Sequence, residues 1–458
     1  MDVSLLTRTL TLRAAWRVRD GWSPERLAAH QQRALHLLRR HAYARSPFYR
    51  RHHSGLRQAP LNELPPVTKA DLMDSFDDAV TAPGLLLSDL EDHLRHLTHQ
   101  GRDPGLPWRR HWWVAATAGT TGRRGVFVWD RGEWATVLAS YARANDWAGV
   151  HVGLRDPLRV AVVSSLIPTH QSAVVGASLH SPLVPTLRLD ATAPIEQTVA
   201  ALNGFAPRLL VGYASALRPL AAQQSSGRLH IAPQAVMSAS EHLSAPAAGE
   251  MAAAWRSEPY DVYAATETAG IASPCVLRRR HLYEDLVVCE SVNVDGAPVP
   301  PGTTGAKLLV TVLFSRTLPL IRYELTDRVR LGGHECPCGR PFRVLESVEG
   351  RVEDVLHLPA NHGVVAVHPN VLHEVLDELG ATGWQVLQLP EGLRVLLTGS
   401  PPVDTGTVES RLRDRLRRAG ATPGRIDVEH VHNLYRTALG KVPLVRALPY
   451  GAAGEPPP

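Results

Sequence analysis

The stretch 116–130 reads ATAGTTGRRGVFVWD and places a Gly-Thr-Thr-Gly turn directly before an apolar run. Closely spaced glycines let backbone N–H groups face an anion, and the threonines between them add hydroxyl donors. Arg123 and Arg124 add charge suited to phosphate oxygens. A Walker loop is excluded, because that motif has lysine and then serine or threonine after its last glycine. The stretch therefore predicts a phosphate-binding turn that opens onto a strand at 126–129, or else a polar surface turn between strands.

Downstream of this turn, predicted strands alternate with predicted helices. Strands are predicted at 158–165, 208–211 and 231–237, and helices at 134–148, 195–202 and 214–223. This alternation implies a mainly parallel sheet that is covered on both faces. In such sheets the binding loops lie at the C-terminal ends of the strands.

The regions on either side of the alternating segment have different patterns. Ser23 and Pro24 start a predicted helix over 23–45, and hairpin signals begin beyond residue 290. The pattern after about Gly350 is that of a small α/β unit with the size of an independent domain. We therefore expect an α/β protein with two domains. Residues 1–349 would form a large N-terminal domain with parallel sheets and a β-rich subdomain, and residues 350–458 a small, mobile α+β C-terminal domain.

The composition excludes several classes of protein. The chain has 458 residues, of which 44% are hydrophobic and 20% charged. It contains no run of ~18 apolar residues, so no transmembrane helix is predicted. A net charge of +5 is modest for this length, and no basic stripe is interleaved with aromatics, so neither a membrane nor nucleic acid is an expected partner. The Arg-bearing first twenty residues are interpreted as a packed helix rather than a transit peptide. Because four cysteines do not make a disulfide framework in so long a chain, we expect a reducing, cytoplasmic location.

The cysteines predict a structural metal site. Cys275 and His281 form a C-x5-H pair, and Cys336 and Cys338 form a C-x-C pair some 55 residues later. Three soft thiolates and one imidazole make a closed tetrahedral set for Zn²⁺. The alternatives are that His334 or Cys289 replaces one ligand, or that the cysteines are free thiols beside a surface histidine.

Six stretches that are weak signals separately follow one another in a fixed order. They are the loop at 117–125, SEH at 240–242, DVYAATET at 261–268, PLIRYELTD at 319–327, GRVEDV at 350–355 and LGKV at 439–442. In this order, with a small domain after GRVED, they resemble the adenylate-forming superfamily. SPFYR at 46–50, LPPVTK at 64–69 and CPCGR at 336–340 resemble its phenylacetate–CoA ligase branch.

The resemblance implies a nucleotide site. The loop residues that would wrap the β- and γ-phosphates of ATP are Thr117, Gly119, Thr120, Thr121, Gly122 and Arg123. Ser240 and Glu241 would line the adenine side, and Tyr263 would stack near the adenine. Asp327 would accept hydrogen bonds from both ribose hydroxyls, as one carboxylate can, and Arg351 would contact the nucleotide from the domain junction.

The resemblance also implies the catalytic residues. Thr266 would contact the α-phosphate, Glu267 would hold Mg²⁺, and Lys441 would reach in from the small domain during adenylation. Glu353 lies where the superfamily has its hinge. A carboxylate that attacks the α-phosphorus needs positioning and positive charge rather than a general base, and these residue types supply both.

We therefore expect a ligase that activates a carboxylic acid, aromatic or small acyl, as its adenylate and transfers it to coenzyme A. An amine or a carrier-protein thiol remains an alternative acceptor, and an inactive binding homologue an alternative class. Residues 165–175, SLIPTHQSAVV, lack the Gly-rich aromatic pattern of phenylacetate-type enzymes, so the sequence leaves the acid open. A homodimer is one expected oligomeric state.

Overall fold

The computed structural model describes most of the chain. The described residues are 3–101, 105–117, 124–152, 156–178, 181–351, 355–361, 363–367, 369–376, 379, 381, 383–399, 402–435 and 442–447.

Helices form the N-terminal part of the described chain. They are α1 (Val3–Arg19), α2 (Pro24–Arg45), α3 (Pro47–His52), α4 (Lys69–Asp74), α5 (Phe76–Ala79) and α6 (Leu87–Gln100), with a 3₁₀ turn at Leu61–Glu63. Ser46 joins two of them: its N–H donates to the Ala42 carbonyl at the end of α2, and its Oγ accepts from the Tyr49 N–H at the start of α3. The first twenty residues contain the expected packed helix, with Leu5 and Trp16 buried.

A short antiparallel pair flanks the Gly-Thr-Thr-Gly turn. It consists of β1 (Trp113–Ala116) and β2 (Val126–Trp129), and α7 (Arg131–Trp147) follows. Asp130 starts α7 with a capping box, in which the Glu133 side chain accepts from the Asp130 N–H at 2.7 Å. The turn at 118–123 lies outside the described residues, but its two ends are held by this pair.

Parallel strands and helices then alternate, as expected. The elements are β3 (Val160–Ser164), α8 (Gln171–Ser178), β4 (Thr186–Asp190), α9 (Ile195–Phe205), β5 (Leu209–Gly212), α10 (Ala214–Ser225), β6 (Ala235–Ala239), α11 (Ala245–Trp255) and β7 (Tyr260–Ala265). The strands lie in the order β4-β3-β5-β6-β7, with every neighbouring pair parallel. β6 begins four residues later than the apolar run predicts, because Pro233 has no N–H to donate to a central strand.

The same sheet continues as an antiparallel half. Its further strands are β8 (Ala269–Pro274), β9 (Arg280–Leu282), β13 (Asp327–Leu331) and β14 (Val344–Arg351). Between β9 and β13 the chain forms β10 (Val287–Val292), β11 (Lys307–Val312) and β12 (Tyr323–Leu325), which do not belong to this sheet. The complete sheet has the order β13-β14-β9-β8-β7-β6-β5-β3-β4, and β10-β11-β12 form a separate sheet. The sheet is thus mixed rather than mainly parallel, since the short turn between β7 and β8 has no room for a parallel crossover.

The C-terminal part has its own core. Its elements are β15 (Leu356–Pro359), β16 (Val364–Val367), α12 (Pro369–Leu376), β17 (Gly383–Leu389), β18 (Gly392–Thr398), α13 (Thr405–Arg418), β19 (Arg425–His430) and β20 (Val445–Arg446). Most of the described buried apolar residues between Leu356 and Val445 form one cluster among themselves. This agrees with a separate small unit, while the exact boundary at 349/350 stays a prediction. Across the described ranges, no helix combines the length and apolar character needed to cross a membrane.

Candidate active site

A cavity of about 2150 Å³ lies at the C-terminal ends of the parallel strands. Its opposite wall comes from the C-terminal unit, through residues such as Trp384 and Leu444. The predicted site residues that line it are Thr117, Ser240, Glu241, Tyr263, Thr266, Glu267 and Asp327. Positions distant in sequence are therefore brought to one cavity by the sheet.

Several predicted residues lie outside the described part of the chain. They are Gly119, Thr120, Thr121, Gly122, Arg123, Glu353 and Lys441, together with the side chain of Arg351. Thr117 is described and closes the base of the turn: its N–H donates to the Gly125 carbonyl at 2.9 Å, and its Oγ1 accepts from the Gly125 N–H at 2.8 Å. The two strands thus meet where a phosphate-binding turn would begin.

Tyr263 and Asp327 form a direct pair. The Tyr263 hydroxyl donates to Asp327 Oδ2 at 2.7 Å, which joins the end of β7 to the start of β13. Asp327 is also the cross-strand partner of Arg351, so the backbone of the predicted domain junction lies beside it. Both side chains are half-buried and line the cavity, and their expected ribose and adenine contacts stay predictions.

The segment Thr266–Glu267 is held by two residues that the sequence did not single out. Gln171 donates through Nε2 to the Thr266 carbonyl at 2.9 Å and accepts through Oε1 from the Tyr141 hydroxyl at 2.6 Å. Gln171 begins α8, and only its position in the unassigned stretch 165–175 could have drawn attention to it. This chain of hydrogen bonds links α7 and α8 to the expected α-phosphate contact.

Glu267 is a buried carboxylate, only 7% exposed. The Tyr323 hydroxyl lies 3.5 Å from Glu267 Oε1. Burial, and then the charge of Glu267, raises the pKa of Tyr323 well above its ordinary value, so the phenol stays protonated. A buried carboxylate at a cavity wall is a suitable oxygen ligand for Mg²⁺.

Glu241 connects the two parts of the chain. Its carboxylate accepts from the Ser215 N–H at 2.9 Å and the Ser215 hydroxyl at 3.0 Å, at the start of α10. The same carboxylate accepts from the Val442 N–H at 3.2 Å, one residue after Lys441. Ser240 has a positive φ of 70°, which turns the chain after β6 toward the cavity. The expected adenine contact of Ser240 and Glu241 stays a prediction.

The Tyr263–Asp327 hydrogen bond leads to a first prediction. Hydrogen bonds to charged groups contribute about 1.5–3 kcal/mol, so Tyr263→Phe is expected to raise the KM for ATP roughly tenfold. Steady-state kinetics with ATP varied would measure this. Tyr260→Phe is the matched control, because it removes a hydroxyl on the same strand that donates to the Ala148 carbonyl instead. An unchanged KM for ATP in the Tyr263 variant would remove Tyr263 from the nucleotide site.

The predicted metal ligands form one cluster. The ligand atoms of Cys275, His281, Cys336 and Cys338 all lie within 4.8 Å of one another. The two sulfurs of Cys275 and Cys336 are 4.0 Å apart, and Cys338 Sγ lies 3.2 Å from His281 Nε2. Zn–S bonds of about 2.3 Å in a tetrahedron place sulfurs about 3.8 Å apart, so the set has the size that Zn²⁺ requires.

The surroundings of the cluster prepare His281 for a metal. His281 Nδ1 lies 2.8 Å from the Phe342 carbonyl, which fixes the ring and directs Nε2 to the thiols. Burial first, with the charges of Arg340 and Arg279, lowers the pKa of His281 and keeps the ring neutral. The alternative of a surface histidine is wrong, since His281 is 0% exposed.

The two alternative ligands lie elsewhere. His334 Nδ1 contacts the Pro341 carbonyl at 2.7 Å. Cys289 is buried in β10, and burial raises the pKa of its thiol to about 12. Neither residue belongs to the described cluster of four.

The chain is similar to known ligases. Curated proteins named phenylacetate-coenzyme A ligase from Thermus thermophilus and Aromatoleum evansii are 24% and 25% identical over 362 and 358 residues. The matches cover 77% and 72% of this chain, and 75% and 73% of those proteins. A crystal structure of 2-hydroxyisobutyryl-CoA ligase in the postadenylation state, in complex with 2-HIB-AMP, has a TM-score of 0.71 at 19% identity, covering 94% of this chain and 91% of that one. No protein-family model matches the chain. The chain thus resembles the phenylacetate-coenzyme A ligases in sequence and has the fold of the adenylate-forming superfamily.

Proposed function

We propose that this protein is an ATP-dependent acid–thiol ligase that converts a carboxylic acid into its acyl-adenylate and then into a coenzyme A thioester. The observation that carries the proposal is the convergence of Tyr263, Thr266, Glu267 and Asp327 on one cavity of an adenylate-forming fold. Three of these residues belong to the motif at 261–268 and the fourth to the motif at 319–327, so two separate motifs meet at the cavity.

The first step joins two anions. A carboxylate oxygen attacks the α-phosphorus of ATP, a new P–O bond forms, and the bond to pyrophosphate breaks without any proton transfer. Thr266 and the turn that Thr117 closes would position the phosphates, and Asp327 would hold the ribose. Glu267 would hold Mg²⁺, which neutralises phosphate charge when bound. Catalysis by positioning and charge agrees with a site built from donors and carboxylates.

The second step transfers the acyl group. A thiolate sulfur attacks the acyl carbon, the C–S bond forms, and AMP leaves with the former carboxylate oxygen. The similar curated proteins are named as coenzyme A ligases, and one related crystal structure contains both 2-HIB-AMP and CoA. These names favour coenzyme A over an amine or a carrier protein as the acceptor.

The two steps would be separated by movement of the C-terminal unit. That unit has its own core, and the contact from the Val442 N–H to Glu241 ties it to the large unit. We propose that residues 350–458 rotate about Glu353 between the steps. Lys441 would then lie in the cavity during adenylation, and coenzyme A would enter the cavity for the second step.

We also propose that Cys275, His281, Cys336 and Cys338 bind a structural Zn²⁺. With four protein ligands the site would be closed and would take no part in the reaction. The ion would instead connect the β8–β9 turn to the segment before β14 and so hold together the antiparallel half of the sheet.

Carboxylate-dependent exchange of pyrophosphate into ATP tests the proposed function. The purified protein, ATP, Mg²⁺ and labelled pyrophosphate are incubated with a panel of aromatic and aliphatic acids. Exchange that requires one class of acid is expected, and adding coenzyme A should then yield a thioester and AMP. If no acid supports exchange although ATP binds, the protein is an inactive homologue. If thioester forms only with a carrier protein, the carrier's thiol is the acceptor instead of coenzyme A. If an amide forms with an amine, the amine is the acceptor.

A further inference from the structure

A buried polar segment connects the two turns that the nucleotide site is expected to use. Thr169, His170 and Gln171 are 2%, 6% and 2% exposed, and Gln171 is the first residue of α8. The Thr169 carbonyl accepts from the Ala116 N–H at 2.8 Å, and Thr117 follows Ala116 at the base of the Gly-Thr-Thr-Gly turn. Because buried polar groups are costly without hydrogen-bond partners, such contacts fix the segment in place.

The other end of the segment contacts the turn between β7 and β8, which carries Thr266 and Glu267. The pairing of the two strands ends with Ala265 and Ala269, so the peptide group between Thr266 and Glu267 lies outside the ladder. Gln171 Nε2 donates to the carbonyl of this peptide group, that of Thr266, at 2.9 Å. Since a trans peptide group is planar, this hydrogen bond fixes the plane that joins Thr266 to Glu267.

Tyr141 determines which way the side-chain amide of Gln171 faces. The Tyr141 hydroxyl donates to Gln171 Oε1 at 2.6 Å. Burial first, and then the charges of Tyr283 and Glu267, raises the pKa of Tyr141, so the phenol keeps its proton and remains a donor. The Thr266 carbonyl can only accept a hydrogen bond, and a reversed amide would place two oxygens against each other. The network therefore holds Gln171 in one orientation.

The segment 169–171 therefore sets the distance between two expected phosphate contacts. Thr169 is attached to the strand that leads into the Gly-Thr-Thr-Gly turn, and Gln171 is attached to Thr266. Adenylation joins two anions, so it depends on the positions of the groups around the phosphates rather than on a general base. Misplacement of one such group by about 1 Å can lower a rate roughly 10²-fold.

We propose that Gln171, oriented by Tyr141, is a positioning residue for acyl-adenylate formation, because it holds Thr266 where that residue contacts the α-phosphate. The inference rests on the proposed function, since it assigns a further residue to the same adenylation step. Gln171 acts through Thr266 on the transition state and leaves the other nucleotide contacts in place. Its loss should therefore lower kcat, while the KM for ATP stays within about twofold.

The test measures kcat and the KM for ATP in the pyrophosphate exchange assay, with the acid that supports exchange held at saturation. Gln171→Met keeps the length of the side chain but removes its amide, and it should lower kcat about tenfold. Gln171→Glu places an oxygen against the Thr266 carbonyl and should lower kcat about 100-fold. Tyr141→Phe keeps the ring and its packing but removes the donor that orients Gln171, and it should lower kcat about fivefold.

Two matched variants control for the loss of a buried polar group. Gln224 on α10 also uses both ends of its amide, since it donates to the Ile231 carbonyl at 3.1 Å and accepts from the Ile231 N–H at 3.2 Å. The Tyr283 hydroxyl donates to Ser273 Oγ at 2.8 Å. Gln224 and Tyr283 lie outside the cavity lining, so Gln224→Met and Tyr283→Phe should keep kcat within about twofold.

Thermal unfolding of the same variants separates positioning from a purely structural role. A lower melting temperature with unchanged kcat in Gln171→Met and Tyr141→Phe would overturn the inference, as would a raised KM for ATP with unchanged kcat. If the Gln171 variants do not fold, Tyr141→Phe decides alone, because it adds no polar group and keeps the packing of the ring. If the unmodified protein catalyses no exchange with any acid, the proposed function fails and the role of Gln171 fails with it. Exchange by the unmodified protein with normal kcat in the variants refutes only the role of Gln171.

Discussion

Lys441→Ala is expected to slow acyl-adenylate formation about 10²–10³-fold. This is the loss in rate that other enzymes show when one preorganised group that stabilises the transition state is removed. The reacting carboxylate and the α-phosphate are both anions, and the transition state adds charge between them. A lysine brought in by the small unit would offset that charge. Val442, the next residue, already contacts the large unit through Glu241 at 3.2 Å. Acid-dependent pyrophosphate exchange measures the loss directly.

The second half-reaction separates this role from a general defect. With preformed acyl-adenylate and coenzyme A, the Lys441→Ala variant should form thioester at close to the normal rate, because the lysine would act only in adenylation. Glu353→Pro is the complementary variant: it should spare exchange and slow thioester formation, since it restricts rotation of the small unit. Normal exchange with Lys441→Ala would disprove the role of the lysine. Equal loss of both steps with Glu353→Pro would disprove the hinge.

Cys336→Ser is expected to remove the bound zinc and to lower the melting temperature by several degrees. Serine is a poor zinc ligand, and a structural zinc contributes directly to folding free energy. Cys336 lies in a half-buried turn, so the substitution removes little apolar packing. Because β14 pairs with β13, which carries Asp327, the KM for ATP should also rise. Metal analysis, thermal unfolding and ATP kinetics measure the three effects.

Cys289→Ala provides the matched control for the metal. It removes a buried thiol from the same region without touching the cluster, and it should retain one equivalent of zinc. Full zinc content in Cys336→Ser, or none in the unmodified protein grown with zinc, would contradict the site. Loss of zinc without loss of stability would show that the metal binds but does not hold the sheet together.

The sequence was most informative where local chemistry limits the choice of residue. The apolar run at 126–129 indicated the strand that the structure has there, and the alternation of strands and helices over 158–237 indicated parallel strands. The C-x5-H and C-x-C pairs identified all four members of the cluster that the fold assembles. The ordered motifs also indicated the adenylate-forming fold, which the structural comparison confirms.

The sequence was less informative about strand direction and side-chain partners. It did not show that β8, β9, β13 and β14 extend the parallel sheet as an antiparallel half. The residues of a strand determine which of its faces is buried. Which strands pair with it, and in which direction, depends on contacts with segments that are distant in the sequence. For the same reason the sequence did not predict a role for Gln171 or Tyr141. Their role depends on the hydrogen bonds from Tyr141 to Gln171 and from Gln171 to the Thr266 carbonyl.

The sequence by itself therefore predicted the class of reaction, through the order of its motifs and their resemblance to the adenylate-forming superfamily. Only the tertiary structure decided which distant residues share one site. Tyr263 and Asp327 are 64 residues apart in the sequence, and they form a hydrogen bond because β7 and β13 belong to the same sheet. Which strands become neighbours depends on contacts between distant segments, and no local pattern encodes it.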